Sequence, residues 1–107
     1  NYADNRYGAA ACTGRGEMAI RCATAHSVVM YLRFGLPLED ALRQAMLDLR
    51  HLEDPYAEAE TVMNIVAMDR NGNVAAASTS PHATYIVQTL DMETYEERPR
   101  LYVPLRE

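Results

Sequence analysis

The residues best suited to chemistry lie together in "CTGRGE", positions 12 to 17. Thr13 brings a hydroxyl, and Gly14 and Gly16 leave main-chain N–H groups uncovered by a side chain. Placed between a strand and a helix, such a turn can stabilise negative charge, either a bound anion or an oxyanion that develops during reaction. The same residues also suit a strand-to-helix turn chosen for its backbone shape alone. Residue pattern leaves both readings open.

Other candidates carry less. "GRGEMA" (14–19) matches the G-x-G-x-x-G/A form of a dinucleotide fingerprint. That fingerprint needs a parallel strand directly after its helix, and here a second helix follows. Cys22 and His26 stand four apart on a helical stretch, a spacing able to hold a metal, but His51 and His82 are isolated and complete no ligand set. Ser27, Ser78 and Ser80 have no nucleophile-elbow setting. Cys12, at a strand end before a helix, is a candidate nucleophile, since a helix N-terminus favours thiolate; its alanine neighbours favour a buried, inert thiol.

These residues need a scaffold. "YGAAACT" (7–13) reads as a strand buried on both faces. One helix is expected over 17–34, with Met18, Cys22, Ala25, Val29 and Leu32 on a stripe that Ile20, Val28 and Tyr31 widen, as for a helix touching more than one neighbour. Gly35 stops it and Pro37 starts a second, amphipathic helix burying Leu38, Ala41, Leu42, Ala45, Met46 and Leu49. A loop is expected at 54–60. "TVMNIVAM" and "NVAAAST" then flank "DRNG", a hairpin signal because Asn71-Gly72 supplies positive φ. "TYIVQTL" (84–90) is expected to return as a third antiparallel strand. The strands are apolar on both faces, so a second sheet, which this chain does not supply, is expected to cover the side away from the helices.

The 107 residues suffice for one small domain, and 49% hydrophobic with 23% charged residues is a globular balance. A net charge of −5 argues against nucleic acid or an anionic membrane as partner. Two cysteines form no disulfide framework and point to a reducing, cytoplasmic setting. No apolar run approaches the roughly 20 residues of a membrane span. The opening "NYADNRYG" reads as part of something longer, and the charged tail at 91–107 either as an extended arm lying across a partner or as a frayed terminus.

At "YADNRYGAAACTGRGEMAIR", "GLPLEDALRQAM" and "IVAMDRNGNVAAASTS" the chain resembles the β-subunit of the N-terminal-nucleophile asparaginases, a family that includes glycosylasparaginase and isoaspartyl peptidase. The likeness covers roughly residues 1–90. It implies an α+β fold forming part of a four-layer αββα sandwich, with 1–90 as an incomplete domain. It implies a precursor that cleaves itself to expose a threonine nucleophile, which attacks the side-chain amide of an asparagine-type substrate. The family's Thr-Gly oxyanion hole falls on Thr13 and Gly14. Gly16 matches the glycine beside the substrate's α-substituents, and Arg15 takes backbone or rim contact. No cofactor or metal is implied. The nucleophile is expected upstream of this chain, since Asn1 has no attacking hydroxyl, so the isolated chain is expected to be inactive. The implied partners are the remaining α- and β-subunit segments, in a dimer of αβ units. Isoaspartyl peptidase activity, or a non-catalytic relative used for binding or assembly, stays open beside amide hydrolysis of asparagine or glycosylasparagine.

Overall fold

A computed structural model describes residues 1–52 and 61–106. The chain runs through strands β1 (Tyr2–Asp4) and β2 (Gly8–Gly14), then helices α1 (Gly16–Arg21), α2 (Thr24–Arg33) and α3 (Leu38–Asp48). A single 3-10 turn, Leu49–His51, closes this helical segment. Strands β3 (Met63–Asp69), β4 (Val74–Ser78), β5 (Thr84–Val87), β6 (Glu96–Pro99) and β7 (Leu101–Tyr102) complete the chain. The loop expected at 54–60 lies outside the described residues.

The main sheet has the order β1-β2-β3-β4-β7, antiparallel except where β7 runs parallel to β4. Helices α2 and α3 cover one face. Val28, Val29, Leu42 and Met46 are fully buried there against Ile65, Ala67 and Ala77. Burial of each large side chain contributes about 1.5–3 kcal/mol, and the alanines opposite let helix and sheet approach closely. The architecture is mixed α+β, as the sequence implies.

The hairpin at 69–72 forms where "DRNG" places it. Asp69 accepts from Asn71 N–H at 2.9 Å and Asn73 N–H at 3.0 Å, and Gly72 has φ of 85°. An equivalent carboxylate device builds the β1–β2 turn, where Asp4 accepts from Arg6 N–H at 2.9 Å and from its guanidinium at 2.9 and 3.1 Å. These bonds hold the Asp4 carboxyl down to about 2. The sequence reading had no strand at β1.

Two expectations are corrected. The single helix over 17–34 is two helices, broken at Ala23, which adopts φ 48° and ψ 49°. The break turns Met18 into the core at one end and Val28 and Val29 at the other, while Ile20 is left 80% exposed. Ser27 secures it, its hydroxyl donating to Cys22 O at 3.1 Å. The broad apolar stripe was thus two stripes read as one. The third antiparallel strand also differs. Residues 84–87 do not pair with β4, because β7 holds that edge through Ala77↔Leu101 and Ser78↔Tyr102. They form a separate hairpin with β6. Arg100 ties this hairpin to the sheet, donating to Thr84 O at 2.7 Å, Ile65 O at 3.2 Å and Ala77 O at 3.4 Å.

Beyond β7, Val103 and Leu105 are buried in the helix-side core, and Arg50 donates to Pro104 O at 3.0 and 2.7 Å. On the sheet's other face, Val66 and Met68 remain 39% and 46% exposed. A groove of about 620 Å³ opens there, walled by Ala9, Ala11 and Val74 from the sheet and by Tyr85 and Ile86 from the β5–β6 hairpin. The two-stranded β5–β6 sheet flanks this face without covering Val66 and Met68.

Candidate active site

Thr13 and Gly14 end β2, Arg15 caps α1, and Gly16 is the first residue of that helix. All four positions of the sequence reading are therefore consecutive at one end of the sheet. Ala10 and Cys12 pack toward the helices, so the alternation of the strand puts Ala9, Ala11 and Thr13 on the open face. Thr13 is exposed there.

The ladder decides which N–H groups point outward. Met63 N–H donates to Thr79 Oγ1 at 2.9 Å, and Met63 O accepts from Thr79 N–H at 3.0 Å. The Met63 backbone thus faces β4, and its partner Gly14 sits in a non-hydrogen-bonded pair. Gly14 N–H consequently points away from β3, on the side where β1, whose pairing stops at Ala10, has already ended. Arg15 N–H faces the other way and donates to Val62 O at 3.1 Å. The outward set expected from Gly14 onward is thus interrupted at Arg15, whose N–H serves the sheet. The helix itself has six residues, so its dipole adds little.

Gly14 is required sterically. It has φ of 112°, and a Cβ there would come within 2.1 Å of Val62 O. At Gly16 a Cβ would meet nothing within 4 Å, leaving open space beside the turn. Arg15 pairs with Glu17, Nε to Oε1 at 3.0 Å, which turns its side chain along α1. The 620 Å³ groove shares the face of Thr13 and reaches Ala11, but Thr13 does not line it.

The remaining candidates fall away on geometry. Burial pushes the Cys12 thiol up, against a smaller opposing pull from Ala25 N–H. A protonated, half-buried thiol is a poor nucleophile. Cys22 closes α1 whereas His26 belongs to α2, so their spacing spans the helix break. Cys22 Sγ lies 3.7 Å from Asp48 O, and the His26 ring packs edge-on against Tyr2 with centroids 4.6 Å apart. No group of three or more potential metal ligands occurs among the described residues. The next strand among the described residues, β3, runs antiparallel to β2, so those residues form no parallel dinucleotide-binding unit. No helix among the described residues is long and apolar enough to cross a membrane.

Asn64 was missed from the sequence. The register sets it directly opposite Thr13. The available signal was a lone carboxamide inside the apolar run "MNIVAM".

Comparison with known proteins supplies a family. Residues 1–96 match the family described as Asparaginase. The chain is 35% identical over 81 residues to the plant-type L-asparaginase of Pyrococcus furiosus, covering 76% of this chain and 25% of that protein. It is 34% identical over 92 residues to the plant-type L-asparaginase of Pyrococcus horikoshii, covering 86% and 28%. The corresponding protein of Thermococcus kodakarensis is 35% identical over 81 residues, covering 76% and 25%. The chain thus spans about a quarter of the length of the relatives it matches.

Proposed function

The chain belongs to the asparaginase family, whose pattern it matches over residues 1–96, and from that premise we propose that it is the oxyanion-stabilising part of an amidohydrolase. The substrate is an asparagine-type side-chain amide, and the nucleophile is an N-terminal threonine exposed by self-cleavage of a precursor and carried outside these 107 residues. One observation carries the assignment: Gly14 N–H is turned out of the sheet beside the exposed hydroxyl of Thr13.

In this reading the threonine hydroxyl adds to the amide carbon and its proton passes to the nucleophile's own α-amino group. The carbonyl oxygen becomes an alkoxide, which accepts hydrogen bonds from Gly14 N–H and Thr13 O–H. Such a donor fixed in place beforehand is typically worth about 3 kcal/mol in the transition state. Collapse breaks the C–N bond, the α-ammonium returns its proton to the leaving nitrogen, and water then releases aspartate from the acyl-enzyme. The open space beside Gly16 suits the substrate's α-substituents. Arg15 is folded against Glu17, with its N–H held by Val62 O and its carbonyl by Met18 N–H, and it takes a place at the rim of the site.

We assign the open apolar face to the remainder of the same enzyme, as the second sheet of a four-layer αββα sandwich, in αβ units that pair as a dimer. The exposed Val66 and Met68 beside the groove support this. The test is to express the complete polypeptide that carries this chain and measure aspartate release from asparagine, a β-aspartyl dipeptide and glycosylasparagine. Hydrolysis of at least one is expected, and its relative rates identify the leaving group. A well-folded complete protein that hydrolyses none of them is a non-catalytic relative, and the proposal fails.

A further inference from the structure

We propose that Asn64 is a positioning residue for Thr13, fixing the direction of its hydroxyl proton; this rests on the oxyanion role given to Thr13 above. The argument begins with register. Thr13 and Asn64 are direct partners across β2 and β3, and Asn64 and Ser78 are direct partners across β3 and β4. Met63, Ile65 and Ala67 are buried toward the helices, so Asn64 stands on the open face with Thr13. A hydroxyl, a carboxamide and a second hydroxyl therefore form one polar row across that face. Beside it the rows Ala11–Val66–Ala76 and Ala9–Met68–Val74 are wholly apolar.

The pairing type brings the groups within reach. Met63 is turned to β4, so Thr13 and Asn64 are a hydrogen-bonded pair, which holds their Cα atoms about 5.5 Å apart. Asn64 and Ser78 form the other type, about 4.5 Å apart, with side chains closer. Among the described residues neither the Asn64 carboxamide nor the Thr13 hydroxyl is bonded, to each other or elsewhere. Catalytic contacts often tighten only when substrate arrives. The Ser78 hydroxyl already accepts from Ser80 N–H at 3.0 Å, which leaves its proton to be donated.

The chemistry follows from the donor inventory. A threonine hydroxyl has one proton, and it stabilises an oxyanion only while that proton points at the oxygen. Donation from Asn64 Nδ2 to Thr13 Oγ1 occupies a lone pair and frees the proton for the substrate. Ser78 donating to Asn64 Oδ1 sets the amide in that orientation and polarises the row. The row accounts for an asparagine, a poor strand former, near the start of β3.

The experiment uses the complete enzyme with Asn64→Leu, Asn64→Asp, Thr13→Val and both double variants. Loss of positioning should lower kcat about 10- to 100-fold with KM nearly constant. Asn64→Asp should be the worse at neutral pH, since a carboxylate draws the Thr13 proton to itself, and should recover as pH falls. Each Asn64 change should add less than twofold in the Thr13→Val background, because positioning acts through that hydroxyl. Wild-type kcat in both single variants, or full multiplicative losses in the double variants, overturns the inference. If Asn64→Leu fails to accumulate, the near-isosteric Asn64→Asp and its double variant decide alone. Turnover in the unaltered enzyme separates the two claims: its absence removes the hydrolase reading and this inference with it, whereas its presence with indifferent Asn64 variants removes only the latter.

Discussion

Replacing Thr13 with valine removes one hydroxyl and almost nothing else. The residue is exposed at the end of β2, valine keeps the branched shape, and its strand propensity is high. Stability should therefore change by no more than about 0.5 kcal/mol. The hydroxyl is one of two donors assigned to the oxyanion, and losing one such donor costs about 3–4 kcal/mol, or roughly 100- to 1,000-fold in kcat. KM should stay near its original value, since the interaction belongs to the transition state. The glycine beside it offers no equally clean experiment. A methyl group at Gly14 would press to 2.1 Å from Val62 O, at a φ of 112°. Gly14→Ala should therefore lower the melting temperature as well as activity, through strain of about 1–3 kcal/mol. The assay is steady-state kinetics on the complete enzyme beside thermal unfolding of each variant. A Thr13→Val enzyme that unfolds normally and keeps more than a third of its kcat refutes the assignment.

Three further outcomes follow from single contacts. Tyr31 donates to Asp48 Oδ2 at 2.5 Å, and that bond, helped by burial, pushes its hydroxyl up to about 12. A raised pKa stabilises the fold below the unfolded value near 10, and the contribution is lost as pH rises through 12; denaturant melts of wild type and Tyr31→Phe should differ by about 1–2 kcal/mol at pH 8 and converge above pH 12. Arg100→Ala removes the side-chain bonds from the β5–β6 hairpin to the sheet, so amides of residues 84–87 should exchange at least tenfold faster while those of β3 hold; unchanged exchange would show the strap to be idle. Asp69→Ala strips the β3–β4 turn of three hydrogen bonds and should cost about 1–2 kcal/mol by urea denaturation, with no effect on KM.

What could be read in advance followed locality. Asn71-Gly72 announced a turn, and the Leu38 to Met46 stripe announced α3, because their determinants lie within a few residues. The break at Ala23 left no mark, since alanine is an ordinary helix former and the kink comes from the demand to bury Met18 and Val28 together. The displacement of residues 84–87 was equally hidden, because it depends on β7, which lies beyond both β5 and β6 in the chain, taking the β4 edge. The site shows the same division. Thr13, Gly14 and Gly16 could be named from spacing and resemblance. Asn64 could not, because a shift of one residue in the pairing of β3 would have turned it to the helix side.

The parallel pairing of β7 with β4 has a consequence for biosynthesis. Val103 and Leu105 complete a core whose other members were translated much earlier, so a nascent chain can assemble its helices and central strands yet still lack one wall. Until residue 105 has cleared the ribosome, the β4 edge stands unpaired and invites strands from neighbouring chains. Closing it promptly falls to the short stretch from Arg100 to Leu105, and a slow translation pause just upstream would prolong the hazard.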